Sequence, residues 1–373
     1  MDFGLTAEQE MLLESTRRYV GDHYSFEKRR ALLSTGNGCS RGVWNDLAAL
    51  GVLSVNVPEE HGGLGAGPVE SMLIALALGE GLVVEPFLTS AVIATRLIAL
   101  AGSAAQREQW LPALASGERI AVLAHGGGDD PSAVMTRATA EAGGWTIDGR
   151  QMVVYHAPVA DLLLVTAQVD DPHGKCLGLF AVPRESTGVS LDSYRTLDDQ
   201  PAADVAFAGV QVGADARLGG DAAAAVAEAL DFGLAIHCAD AVGVLDRALA
   251  VTIEYVRTRT QFGGPIGRFQ ALQHRIADMA GHIENARSMS YVAAVKSAAP
   301  DPRARARALS AAKVIIGQAA RFVGQQAVQL HGGMGVSNEV AISHYFRRLT
   351  ASEIRFGSGE HHLDRYAGMM TDS

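Results

Sequence analysis

Few residues in this chain have types and spacings that could do chemistry, and most of the obvious patterns fail on context. Gly38-Cys39-Ser40-Arg41-Gly42 has the G-x-S-x-G form of a nucleophilic serine, and His125-Gly126-Gly127-Gly128 resembles an oxyanion loop. Their chain order is the reverse of what such a hydrolase needs, and no strand precedes Gly38 to form the sharp turn. Gly63-Leu64-Gly65-Ala66-Gly67 lacks the third-glycine spacing of a dinucleotide loop and follows no clear strand. His361 and His362 are adjacent, and neighbouring helix positions point apart, so no shared metal is expected. Cys39, Cys176 and Cys238 are far apart, with no metal or redox spacing. That usage fits a reducing compartment and a cytoplasmic protein.

The elements that must position any site fall into three stretches, expected at 1–117, 118–215 and 216–373. The first reads as helices. Thr6 can cap a start at Ala7, Glu8 suits the helix dipole, and Met11, Leu12, Leu13 and Tyr19 recur at roughly helical spacing. A loop with Gly36, Gly38 and Gly42 should follow, then apolar helical runs over 69–82 and 88–101. The second stretch is a small β domain. Ile120 to Ala124, Trp145 to Arg150 with a turn at Gly149, Leu162 to Thr166 and Leu177 to Pro183 are β-rich runs broken by Asp, Gly and Pro. The third reads as long helices at about 222–258, 268–298 and 303–331, the last ended by Gly332-Gly333 as a C-cap would end it. A short helix follows Gly359, with Glu360 in its first turn. The alternating Arg303-Ala304-Arg305-Ala306-Arg307 should be a solvated helix start.

Bulk properties exclude several classes. The chain has 373 residues, a formal net charge of −10 and 48% hydrophobic residues. It is globular, long enough for two or three domains, and without a basic run suited to nucleic acid. No stretch reads as a signal peptide or a membrane span.

Three segments carry a family resemblance. Arg257-Thr258-Arg259-Thr260-Gln261-Phe262-Gly263-Gly264-Pro265-Ile266, continuing through Phe269, Gln270 and Gln273, is similar to the FAD-tail signature of the acyl-CoA dehydrogenases. Gln329-Leu330-His331-Gly332-Gly333-Met334-Gly335 is similar to the turn by which that family approaches the FAD diphosphate. Pro58-Glu59-Glu60-His61-Gly62-Gly63-Leu64-Gly65 matches a stretch of its first domain. The resemblance covers nearly the whole chain. It implies a mostly α fold: an N-terminal helical domain, a middle β-barrel-like domain and a C-terminal four-helix bundle.

The resemblance further implies that one FAD is held by two chains, with the flavin ring on the β domain of one and the tail on the C-terminal helices of its neighbour. The tail half looks intact. Arg259 matches the arginine that meets the diphosphate, Gln261 and Gln270 match hydrogen-bonding positions, and Phe262, Ile266 and Phe269 match the apolar wall. Gln329, Gly332 and Gly333 match the turn beside the adenosine end. A guanidinium suits this task because its fork of donors is fixed and always charged. The ring half looks degraded. Ala124-His125-Gly126-Gly127-Gly128-Asp129-Asp130-Pro131 lacks the family's threonine and serine donors. Val153, in Gln151-Met152-Val153-Val154-Tyr155-His156, takes the place of a tryptophan that packs on the flavin, a stacking contact worth about 1 kcal/mol. His125 or Tyr155 could replace the lost contacts.

In the same family a glutamate removes the α-proton of the acyl-CoA. The matching position in Arg347 to Gly359 is Gly357, and the alternative position, counted back from Arg259, is Gly233. Neither can take a proton. Glu228, Asp231, Glu353 and Glu360 are the nearby carboxylates, and a base must lie within hydrogen-bond reach of its proton. The pattern resembles the non-catalytic β subunit of actinobacterial α2β2 enzymes that desaturate steroid side-chain CoA thioesters, cholestenoyl-CoA among them. Such a chain would donate FAD-tail contacts to a second, catalytic acyl-CoA dehydrogenase chain, with an electron-transfer flavoprotein as oxidant. Two other readings stay open: a self-sufficient homotetrameric enzyme using Glu360 or Asp231, and a flavin-free structural adaptor.

Overall fold

The computed structural model describes residues 4–34, 38–126, 134–171 and 174–371. In chain order it has helices α1 (Ala7–His23), α2 (Phe26–Leu33), α3 (Arg41–Ala49) and α4 (Pro68–Glu80). A π-helical stretch over Phe87–Ala94 then runs into α5 (Thr95–Ala101), followed by α6 (Ala104–Ala115). Strands β1 (Ala121–Ala124), β2 (Thr136–Glu141), β3 (Gly144–Tyr155), β4 (Leu162–Asp171), β5 (Gly174–Pro183), β6 (Val189–Arg195) and β7 (Pro201–Gly213) come next. After them come α7 (Ala223–Thr258), the short strands β8 (Thr260–Gln261) and β9 (Gly264–Pro265), α8 (Gln270–Ser297), α9 (Pro302–His331), α10 (Ala341–Ile354) and α11 (Gly359–Thr371). Helices, a middle sheet and C-terminal helices thus follow one another in the expected order.

Several local expectations are corrected. α2 and α10 are helices that the hydrophobic pattern did not single out. Gly42 lies inside α3 rather than in a loop. Gly149 makes no turn: β3 runs through it with a register shift against β7, at a φ of 125°. A Cβ there would stand 2.4 Å from the Met135 carbonyl oxygen, so only glycine fits the bulge. Thr6 caps α1 as expected, through a reciprocal box with Gln9. Asp301 caps α9, but Arg305 in its first turns is buried and donates to the Ala299 carbonyl at 3.0 Å, so that segment is only partly solvated.

The chain packs as two compact units. One comprises Met1–Arg30, Pro68–Val83 and Leu234–Ser373. Its core gathers Leu245 and Ala248 of α7, Met279 and Ile283 of α8, Leu309, Ile316 and Val323 of α9, and Leu349 of α10, all buried. α9 lies against α8, α10 and α11. α4 and α7 cross at backbone contact. A Cβ on Gly79 would come 2.2 Å from the Asp240 carbonyl oxygen, and one on Gly243 would come 2.0 Å from that of Leu76.

The other unit comprises Ala31–Gly67 and Val84–Gly233. Its sheet has seven strands in the order β1-β4-β2-β3-β7-β6, with β5 on the other edge of β4. β1 and β2 share one edge of β4, pairing parallel with its start and its end. The remaining pairs are antiparallel. Trp145 and Phe180 meet edge-on at 5.3 Å, and the Arg217 guanidinium lies over the Trp145 ring at 5.0 Å.

Candidate functional site: a tail cradle, an altered ring face and a turn without an acid

The tail residues lie in the helical unit. β8 and β9 form a hairpin whose two loop residues, Phe262 and Gly263, have φ of 55° and 81°. Two positive φ values suit a tight two-residue turn that follows the strand twist. A phenylalanine in that region is strained, at a cost on the order of 1 kcal/mol. Arg268 braces the turn by donating to the carbonyls of Phe262 and Gly263. The turn presents Phe262 at 80% exposure, with Phe269 edge-on to it at 6.0 Å. Arg259, Gln261, Gln270 and Gln329 are exposed, and Ile266 is half-buried. Among the described residues the Arg259 guanidinium makes no hydrogen bond or ion pair. Its backbone N–H donates to the Tyr255 carbonyl at 2.8 Å.

Gly332 ends α9 at φ 61° and ψ −145°, a region essentially closed to other residues. A Cβ on Gly332 or Gly333 would meet nothing within 4 Å, so the turn is open to a ligand's approach. The structure therefore brings the Arg259 segment and the Gly332-Gly333 turn into one unit, with charged donors, open backbone and exposed aromatic faces. These features fit an elongated dianionic tail.

The residues expected at the ring face lie in the sheet unit, and Val153 among them is aliphatic. Val153 sits in a bulge of β3 at φ 53°, 45% exposed, with its N–H held by Asp204 Oδ1 at 3.0 Å. Asp204 also accepts from the Tyr194 hydroxyl at 2.9 Å and Arg150 at 2.8 Å. His125 Nδ1 lies 3.0 Å from the Thr166 hydroxyl, and burial lowers its pKa. Gln151 is fully buried and donates to Thr136 Oγ1 at 2.6 Å and to the Thr166 carbonyl at 3.1 Å. His156 bonds Thr89 and the Val84 carbonyl. His125 is thus held within the protein's own polar network, and half-buried Tyr155 ends β3. Residues 127–133, which carry most of the altered glycine-rich loop, lie outside the described residues.

The turn after α10 is tight at Gly357, the position expected from the sequence to match the family base. Phe356 and Gly357 have φ of 64° and 102°. A Cβ on Gly357 would lie 2.7 Å from His361 Cδ2 and 3.2 Å from His362 Nε2. His361 is exposed and could swing aside, but His362 is buried and held at both nitrogens. Its Nε2 donates to the Phe356 carbonyl at 2.9 Å, and its Nδ1 accepts from the Ser310 hydroxyl at 3.1 Å. The end of α10 is capped from two further helices. His237 of α7 donates to the Ser352 carbonyl at 3.3 Å, and Lys313 of α9 donates to the carbonyls of Ser352 and Glu353, the latter at 3.0 Å. Cations suit a helix C-terminus. Reading the turn one residue either way brings in no acid, because Phe356 and Ser358 flank Gly357. Gly233 is buried inside α7.

The other carboxylates have employment or bland positions. Glu228 pairs with Arg96 at 2.6 Å, Glu353 pairs with Arg321, and Asp231 is buried and engaged. Glu360 is exposed in the first turn of α11. The weaker motifs resolve structurally. Ser40 caps α3 through Val43, and the N–H groups of Gly63, Leu64, Gly65 and Ala66 all donate to backbone carbonyls rather than facing a phosphate.

Burial makes these histidines an acid liability. It pushes His362 down to about 4 and His237 well below its usual value, the latter also by nearby Arg355, Lys313 and Arg348. The unfolded chain, near 6.5, then binds more protons than the folded one below that pH. This part of the stability is complete above about pH 6.5 and is lost as pH falls toward 4, at up to about 1.4 kcal/mol per pH unit for each histidine. Melting temperature followed from pH 7 to 4 should fall steeply, and His362→Gln should flatten the curve. An unchanged slope in that variant would assign the loss elsewhere.

Comparison with known proteins agrees with this geometry. Residues 6–118 match the family description "Acyl-CoA dehydrogenase, N-terminal domain" and residues 223–370 match "Acyl-CoA dehydrogenase, C-terminal domain". The chain is 30% identical over 349 residues to acyl-CoA dehydrogenase FadE27 of Mycobacterium tuberculosis, covering 91% of this chain and 90% of that one. The ChsE4-ChsE5 complex from Mycobacterium tuberculosis contains a chain superposing with a TM-score of 0.91 at 28% identity, over 100% of both chains. A variant of the Tcur3481-Tcur3483 steroid ACAD superposes at 0.88 with 28% identity over 98% of both. This chain belongs to the acyl-CoA dehydrogenase family.

Proposed function

We propose that this chain is the non-catalytic, tail-donating subunit of a hetero-oligomeric, FAD-dependent acyl-CoA dehydrogenase. The observation that carries the reading is the contrast within one chain. The tail cradle is open and its arginine unengaged, while the turn at the base position is closed and holds no acid. The likeness to a chain of a steroid acyl-CoA dehydrogenase supports a steroid substrate, which in this reading is a side-chain CoA thioester, as in cholesterol breakdown.

Arg259 would meet the FAD diphosphate, with Gln261, Gln270 and Gln329 hydrogen-bonding the tail. Phe262, Ile266 and Phe269 would wall it, and the open turn at Gly332 and Gly333 would let backbone approach it. FAD supplies the hydride-accepting group for α,β-desaturation, and the flavin ring and the proton-abstracting carboxylate belong to the partner chain. An electron-transfer flavoprotein would take the electrons onward. The three free cysteines support a cytoplasmic setting. The division into domains at 1–117, 118–215 and 216–373 belongs to the same reading, supported by the limits of the two family matches.

A tag on this chain, expressed with candidate partner genes, tests the assembly. Equal amounts of this chain and a second dehydrogenase chain, at the mass of two of each, are expected. A stable assembly of this chain alone that turns over acyl-CoA would overturn the reading.

A further inference from the structure

The two parts of the tail cradle come from segments about sixty residues apart, and one aromatic pair joins them. Tyr255 lies one helical turn before Arg259 and accepts its backbone N–H. His331 immediately precedes Gly332. The Tyr255 and His331 rings are stacked, with centroids 4.2 Å apart and planes 24° apart. The Tyr255 hydroxyl donates to the His331 carbonyl at 3.3 Å. His331, 3% exposed, donates from Nδ1 to the Ala327 carbonyl at 2.8 Å, which fixes both its ring and its tautomer. The end of α7 is thereby pinned to the end of α9 just where each delivers its tail-binding residues.

We propose that Tyr255 and His331 are positioning residues for the FAD tail. They set the separation between the Arg259 guanidinium and the Gly332-Gly333 turn, so that one ligand can meet both. The inference rests on the tail-donor reading above and adds the residues that act through it. A binding constellation must be held to about 0.5 Å by supporting groups, and a stacked pair with one hydrogen bond across two helix ends, its histidine ring fixed within its own helix, supplies such support. Neither side chain needs to touch the cofactor.

The test titrates FAD into the flavin-stripped assembly, purified through a tag on this chain, and records the melting temperature of each variant. Tyr255→Ala should weaken FAD binding about tenfold, the scale of coupling between residues in contact. Tyr255→Phe keeps the stack and should restore most of it. Because Tyr255 acts through Arg259, the double variant Tyr255→Ala/Arg259→Ala should bind no more weakly than Arg259→Ala alone. A purely structural role would give additive losses, and that result would overturn the proposal, as would wild-type affinity in Tyr255→Ala. If Tyr255→Ala does not fold, His331→Gln serves, with the same expectation and the same overturning results. Should Arg259→Ala itself bind FAD normally, the tail-donor reading fails. If Arg259→Ala weakens binding and the Tyr255 variants do not, only the positioning claim fails.

Discussion

Arg259→Ala should leave the assembly folded and lower its flavin content. The side chain is exposed and has no intramolecular partner among the described residues, so its removal breaks nothing that holds this chain together. A guanidinium facing a diphosphate makes charge-assisted, forked hydrogen bonds, and losing them should weaken FAD binding on the order of ten- to a hundredfold. Arg259→Lys should recover only part, because a point charge lacks the fork. Absorbance at the flavin maximum, per assembly, together with a melting curve, separates the outcomes. Undiminished FAD with Arg259→Ala would remove the donor role from this segment.

Gly357→Glu should not create a second active site. It introduces the residue type that the family resemblance leads one to expect there, yet the backbone has a φ of 102° and any Cβ presses on His361 and His362. A non-glycine residue at such a φ is strained, and overpacking against buried His362 adds to it. Together these should cost on the order of 3 kcal/mol. The expected result is a lower melting temperature and no gain in acyl-CoA turnover. His361→Ala in the same background should relieve part of the clash but not the backbone strain. A doubling of turnover per assembly in Gly357→Glu would mean that the turn can open and that only the carboxylate was missing.

The residues proposed for the tail cradle stand out in the sequence because they are local. Arg259 to Ile266 and Gln329 to Gly333 are short runs whose chemistry does not depend on distant packing. The long helices α7, α8 and α9 were legible from their apolar spacing. α10 was not, since its stretch from Ala341 mixes buried His344 and Arg348 with apolar positions, and Arg348 is buried against Asp240 at 3.0 Å. β7 opens on Pro201 and its Val205, Val210 and Val212 are spread among alanines and glycine, which weakens the β-branched signature of a strand. Val153 could be read as a lost aromatic, but its outward bulge on Asp204 depends on a partner fifty-one residues away. The missing acid at Gly357 was legible as a residue type. That a side chain there would be strained and crowded was not, because this comes from its φ and from His361 and His362, the latter held by Ser310 of another helix. The Tyr255–His331 stack is likewise a product of tertiary packing.

The central claim is a division of labour over one cofactor, and flavin stoichiometry tests it most directly. This chain should be purified alone and with its partner dehydrogenase, and FAD counted per chain from the visible spectrum. Little flavin on the chain alone and about one FAD per two chains in the assembly is the expected result, since a symmetric pair of unlike chains then shares each site. One FAD on every chain in the isolated protein, bleached by an acyl-CoA, would contradict it and would mean that this chain is a complete enzyme.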